Sequence, residues 1–227
     1  MKKLLVLMMM VGAFLYAKGP LHMPKDFRAV PIDKAQILQE GESKLFCPKC
    51  GMTLPMFYRT NHAAKVDGKI EQFCSIHCLV DEMKSGKKVE DIQVVDNSTL
   101  KFIPAKDAWY VVGSSMPGTM SKVSKYAFGT EKAAKEFAKK YGGKVMRFKD
   151  VLDLVMKNFD KEQAMIAKKQ MMMAKKGEMV YKNKCKKVDK KFNSVAEAKA
   201  YLIANKVCEV KGKPLQAVAI FLVKGAK

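Results

Sequence analysis

The sequence predicts an α+β fold: two packed β-β-α units with a treble-clef-like cysteine site, followed by a small all-helical C-terminal module. Three observations predict it. Short strand and helix patterns alternate through residues 44–150. Two close cysteine pairs, Cys47/Cys50 and Cys74/Cys78, bracket a hairpin signal. Beyond Asp150 the apolar periodicity becomes helical. The 227 residues suffice for one medium domain or two small ones, and an apolar fraction of 48% supplies a core and excludes wholesale disorder.

Residues 1–17 read as a secretory signal peptide. Lys2 and Lys3 form a basic start, residues 4–16 are apolar, and Leu15-Tyr16-Ala17 resembles an A-x-A cleavage site that leaves Lys18 first. The run is shorter than the roughly 20 residues a spanning helix needs, so the competing reading is an uncleaved interfacial anchor. Export implies a periplasmic location. Residues 18–43 are a leader with Pro20, Pro24 and Pro31, and a short helix is expected between Pro31 and Gly41.

The metal-binding domain is expected at 44–150. Asp67-Gly68 between two apolar runs predicts a hairpin, and a helix over 75–83 should end at Gly86. The order then repeats, with strands at 100–103, 109–113 and 126–129. Thr130 is placed to N-cap a helix ended by Gly142-Gly143, and residues 144–148 return as a strand. Residues 151–176 read as a helical linker, and 177–227 as the helical module. Ser194-Val195-Ala196-Glu197 is a capping box, and Pro214 suits the first turn of a final helix.

The formal charge is +21, and still +19 without Lys2 and Lys3. The lysines are spread through every segment, and an exported chain meets little nucleic acid, so nucleic-acid binding is set aside. Attraction to an anionic membrane surface or to an acidic partner protein fits better, with plain solubility as the bland alternative.

Six cysteines in an exported chain first suggest disulfides. Close pairs, however, are metal-knuckle spacing. Cys47-Pro48-Lys49-Cys50-Gly51-Met52 presents two thiols from a tight turn, in which Gly51 permits a left-handed backbone. Cys74-Ser75-Ile76-His77-Cys78 lies where a strand becomes a helix, so both thiols share a face. Cys185 and Cys208 stand alone, the pattern of a disulfide or of two core thiols. The methionines bear on metal identity: Met52 follows Cys50, and Met116 and Met120 bracket Pro117-Gly118-Thr119. Thioethers are soft and uncharged and favour Cu(I) over zinc. His62 and His77 are further candidate ligands. Met165, Met171, Met172, Met173 and Met179 read as helix packing.

Together C-P-K-C-G-M, A-A-K-V-D-G, A-W-Y-V-V-G-S, G-T-M-S, K-Y-A-F-G, A-A-K-E-F-A and G-G-K-V-M-R-F resemble the NosL family of nitrous-oxide reductase accessory proteins over about residues 45–155. The resemblance implies a periplasmic copper(I) metallochaperone, not an enzyme, that supplies copper for maturation of a copper enzyme in denitrification. It implies a recipient enzyme or a membrane-bound assembly complex as partner. It carries Cys47, Cys50 and Met52 over as the knuckle, and Met120 as the methionine of the family's G-P-M-G loop. Two departures stand out. The chain lacks the lipid-attachment cysteine of many members, and it has Cys74-Ser75-Ile76-His77-Cys78 where many have an aspartate-containing strand end. The second leaves zinc open as the metal of the four cysteines.

Residues 177–185 and 215–222 resemble the first and last helices of a small c-type cytochrome. No C-x-x-C-H follows, and no histidine follows His77, so a module without haem is expected. Two other readings of the whole chain remain: a structural zinc-binding interaction module, and a thiol–disulfide oxidoreductase using Cys47/Cys50.

Overall fold

In the computed structural model, which describes residues 26–225, two antiparallel sheets pack beneath one long helix. The signal peptide expected at 1–17 lies outside the described residues. The first sheet has the order β2-β1-β3-β4, with β1 His62–Val66, β2 Lys69–Phe73, β3 Val89–Val95 and β4 Phe102–Pro104. Asp67 and Gly68 both take positive φ, the backbone a two-residue hairpin turn requires. Helix α1, Ile76–Met83, leaves β2, and β3 then returns along the other edge of β1.

The second sheet has the order β6-β5-β7, with β5 Trp109–Val112, β6 Lys125–Phe128 and β7 Lys144–Arg147. Helix α2, Glu131–Tyr141, starts at Thr130, whose side chain accepts from the Ala133 N–H, and ends at Gly142. Asp96 ties the sheets together. Its backbone bridges to Ala127, and its carboxylate accepts the N–H groups of Ser98 and Gly129.

Two sequence expectations need correction. No helix forms between Pro31 and Gly41 beyond a three-residue turn at Ile32–Lys34. Tertiary hydrogen bonds claim that backbone instead: the Gln36 N–H donates to the Tyr58 hydroxyl and the Leu38 N–H to the Gln72 side chain. Strand β3 was not anticipated. Its start carries Glu90 and Asp91, exposed charges that mask the pattern, and Asp91 sits at positive φ beside a register shift with β1.

Helix α3, Phe148–Lys184, runs unbroken through the expected linker and into the module. Its first half buries Val151, Val155 and Phe159 against α1 and β5. Its second half crosses α5, Gly212–Lys224, at Gly177, where a Cβ would lie 2.1 Å from the Ala217 carbonyl oxygen. Only glycine allows the two backbones that approach. Helix α4, Val195–Ala204, is capped by Ser194, and the Glu197 carboxylate reaches the Asn193 N–H. A Cys185–Cys208 disulfide closes the module, whose core includes Phe192, Leu202, Val218 and Ile220. Ala196 and Ala200 of α4 pack on Phe46, which brings the module onto the cysteine region. Among the described residues, no helix is long and apolar enough to cross a membrane.

Candidate metal centre

Cys47 and Cys50 lie in a knuckle held by its own backbone. Phe46 bridges Thr53, the Cys47 N–H donates to the Met52 carbonyl at 2.9 Å, and the Gly51 N–H returns to the Cys47 carbonyl at 2.8 Å. Gly51 has φ +70°, and a Cβ there would sit 2.4 Å from Val195 Cγ1 of α4. The glycine therefore serves both the turn and the close approach of the module. Cys74 follows directly on β2, and Cys78 lies in the first turn of α1.

This topology gathers the four sulfurs within 4.8 Å of one another. Cys50 Sγ is 3.4 Å from Cys74 Sγ, which is 3.7 Å from Cys78 Sγ. A tetrahedral ion with metal–sulfur bonds of about 2.3 Å has sulfur–sulfur edges of about 3.8 Å, so the donor set fits one such ion. All four cysteines are buried and none is in a disulfide. Burial opposes ionisation of Cys47, yet hydrogen bonds from Cys50, Cys74 and Cys78 outweigh it and hold this thiol well below the usual range. Hydrogen bonding to Cys47 and Cys50, followed by burial, pushes Cys74 and Cys78 well above it. The metal-free cluster thus keeps protons that a bound cation must displace.

Charged partners brace the knuckle from two sides. Lys49 pairs with Glu82 at 3.0 Å and Asp81 at 3.5 Å, fastening the knuckle to α1. From α4, the Lys199 ammonium donates to the Gly51 carbonyl at 3.1 Å, the Thr53 hydroxyl at 2.8 Å and the Gln216 side chain at 2.7 Å. Burial lowers the Lys199 pKa to about 8, against the attraction of Cys50. Gln216 of α5 donates to the Cys50 carbonyl at 2.9 Å. Sequence reading missed Lys199 and Gln216. The available signal was a lone lysine among the apolar residues Val195, Ala196, Ala198, Ala200 and Leu202.

The other predicted residues separate. Met52 Sδ lies 3.9 Å from Cys74 Sγ, and Met120 packs on the same cluster at φ +57°, a left-handed conformation that costs a side-chain-bearing residue about 1–2 kcal/mol. The Met116–Met120 loop is pinned by Tyr126, whose hydroxyl donates to the Pro117 carbonyl, and by Thr60, which bonds both Thr119 and the Cys74 carbonyl. Met116 itself packs among Tyr126, Phe128 and Phe137, away from the cysteines. Both histidines are engaged elsewhere. His77 stacks on Phe159 and contacts Glu162 and Gln163 of α3, whereas His62 lies between the Thr60 carbonyl and the Tyr110 hydroxyl.

His62 gives a pH prediction. Burial lowers its pKa from 6.5 to about 4. Between those values the unfolded chain takes a proton that the folded chain refuses. Its contribution is therefore complete above about pH 6.5 and falls away, by up to about 3 kcal/mol, as pH drops towards 4. Denaturant melts of reduced, metal-free protein across this range should show that loss, and H62Q should flatten the difference. Identical pH slopes for the two proteins would refute the assignment.

The NosL family model matches residues 39–156. No curated protein matches the chain. Among solved structures, one titled as the copper chaperone NosL from Shewanella denitrificans is 29% identical, with a TM-score of 0.40; the match covers 52% of this chain and 96% of that one.

Proposed function

This chain belongs to the NosL family, whose model spans just over half of it, and from that premise we propose that it is an exported, non-enzymatic copper(I) carrier that supplies a copper enzyme during assembly. The observation that carries the reading is the preformed cluster of Cys47, Cys50, Cys74 and Cys78 with the Met52 thioether 3.9 Å from one of its sulfurs. Thiolates and thioethers are soft donors that favour Cu(I). Copper is the cargo here, and the residues serve to hold it and let it go. Cys47, whose thiol its neighbours hold low, supplies a thiolate. Met52 and Met120 offer neutral sulfurs that can enter or leave without moving a proton, which suits hand-over by ligand exchange. The left-handed Met120 is consistent with that role, because its strained backbone holds a thioether beside the cluster. We place the carrier in the periplasm and its recipient in nitrous-oxide reductase assembly, on the family resemblance of the chain.

One observation favours a second reading. Four buried cysteines enclosing a single position form a closed donor set, typical of structural zinc. In that case zinc would hold the knuckle on α1, and copper would use the methionine side of the site. The experiment is a Cu(I) competition against a chromophoric chelator, run with zinc-free and zinc-loaded protein. Tight, chelator-exchangeable Cu(I) in zinc-free protein supports carriage at the cysteines; zinc that copper fails to displace supports the second reading.

A further inference from the structure

Beside the cysteine cluster lies a cavity of about 260 Å³, and its lining is unusual. Met52 and Met120 come from the family-matched region, Met165 and Met173 come from α3 beyond it, and Cys50 belongs to the knuckle. Met165 and Met173 are eight residues apart, near enough in helical phase to share one face of α3. Met171, Met172 and Met179 of the same helix are more than half exposed, so the cavity accounts for two of the five methionines that read as packing. The pocket is partly open to solvent, and Met165 and Met173 are only half-buried, so these thioethers line an accessible surface rather than a sealed core.

We infer that Met52, Met120, Met165 and Met173 form a second soft-cation site, a thioether chamber that takes Cu(I) beside the cysteine cluster. The inference rests on the copper reading above and adds a site that the helical extension completes. The chemistry of the lining selects the ion. Among the described residues no carboxylate lines the cavity, so a hard dication finds no carboxylate ligand there. Gln170 and Gln216 add neutral oxygens, and the Arg28 charge is matched by Asp26. Lys169 is exposed and free to turn to solvent. Cu(I) binding in the chamber displaces no proton, whereas binding at the cysteines does. An ion held there stands next to Cys50, one ligand exchange from the cluster.

The test is anaerobic Cu(I) titration of the full chain with two readouts: near-ultraviolet thiolate-to-copper absorption, which reports the cysteines, and total copper retained at equilibrium dialysis. Wild type should retain one equivalent beyond the point at which thiolate absorption saturates. M165L/M173L should lose that equivalent and keep the thiolate signal. Leucine is close to methionine in volume, so the apo melting temperature should hardly move. The single variants M165L and M173L, milder still, should each weaken the extra equivalent about tenfold, or about 1.4 kcal/mol. An extra equivalent that survives M165L/M173L, or a wild type that lacks one, overturns the chamber. Absence of the thiolate signal with the methionine-dependent equivalent intact would instead overturn carriage at the cysteines and leave the chamber standing.

Discussion

Replacing Cys47 and Cys50 together by serine is expected to lower the affinity of the cysteine cluster for its metal by roughly four orders of magnitude. A closed thiolate site is worth about 10–16 kcal/mol in small zinc-folded peptides. Shared over four sulfurs, that is about 3 kcal/mol each, and two lost ligands cost about 6 kcal/mol, or roughly 10⁴-fold. The knuckle also contributes Cys47, whose thiol is held low by hydrogen bonds from the other three cysteines. Serine keeps the size and removes the soft donor, so the metal-free fold should survive. The measurement is competitive titration of wild type and C47S/C50S, beside melting curves with and without metal. The metal-dependent rise in melting temperature should vanish in the variant. Wild-type affinity in C47S/C50S would remove the knuckle from the site.

Gly177→Val is expected to destabilise the protein by about 3 kcal/mol or more, at the upper end of overpacking effects. The obstacle is the Ala217 carbonyl at 2.1 Å, with its carbon at 2.4 Å, and backbone atoms on a facing helix have nowhere to go. The gain in helix propensity from replacing glycine, under about 1 kcal/mol, is too small to compensate. The consequence reaches the metal centre. α5 carries Gln216 to the Cys50 carbonyl, and α4 carries Lys199 to Gly51. Prising α3 from α5 should loosen both braces and make residues 177–225 sensitive to protease before the sheets unfold. A G177V chain with wild-type melting and proteolysis would mean that the helices re-seat without cost.

The clustering of the four cysteines was legible because its determinants are local. Cysteine spacing, a glycine after the knuckle, and a hairpin marked by Asp67-Gly68 all lie within about 35 residues of sequence. The second sheet was legible for the same reason, from Thr130 at one end of α2 to Gly142 at the other. What escaped reading depends on distant partners. Gln72 and Tyr58 hold the segment after Pro31 extended, and no periodicity in that segment announces it. β3 hides behind Glu90 and Asp91. The linker read at 151–176 and the start of the module share one helix, because Ala174 and Gly177 are buried against the module and packing carries the helix through. Met52 and Met120 were picked out by local context, whereas Met165 and Met173 gain meaning only once α3 folds back over the knuckle. Lys199 is the plainest case. Its role is set by carbonyls and side chains that are 17 to 148 residues away.

On the proposed function, this chain holds Cu(I) through sulfur and releases it by exchange. The most direct measurement loads the zinc-free, reduced protein with one equivalent of Cu(I) and challenges it with a chromophoric Cu(I) chelator. The thiolate-to-copper absorption and the chelator colour are followed together. Retention of copper at low chelator, followed by full transfer on raising it with matching decay of the thiolate band, is the predicted result. Immediate loss of copper to the lowest chelator concentration, without any thiolate band at any point, would contradict it.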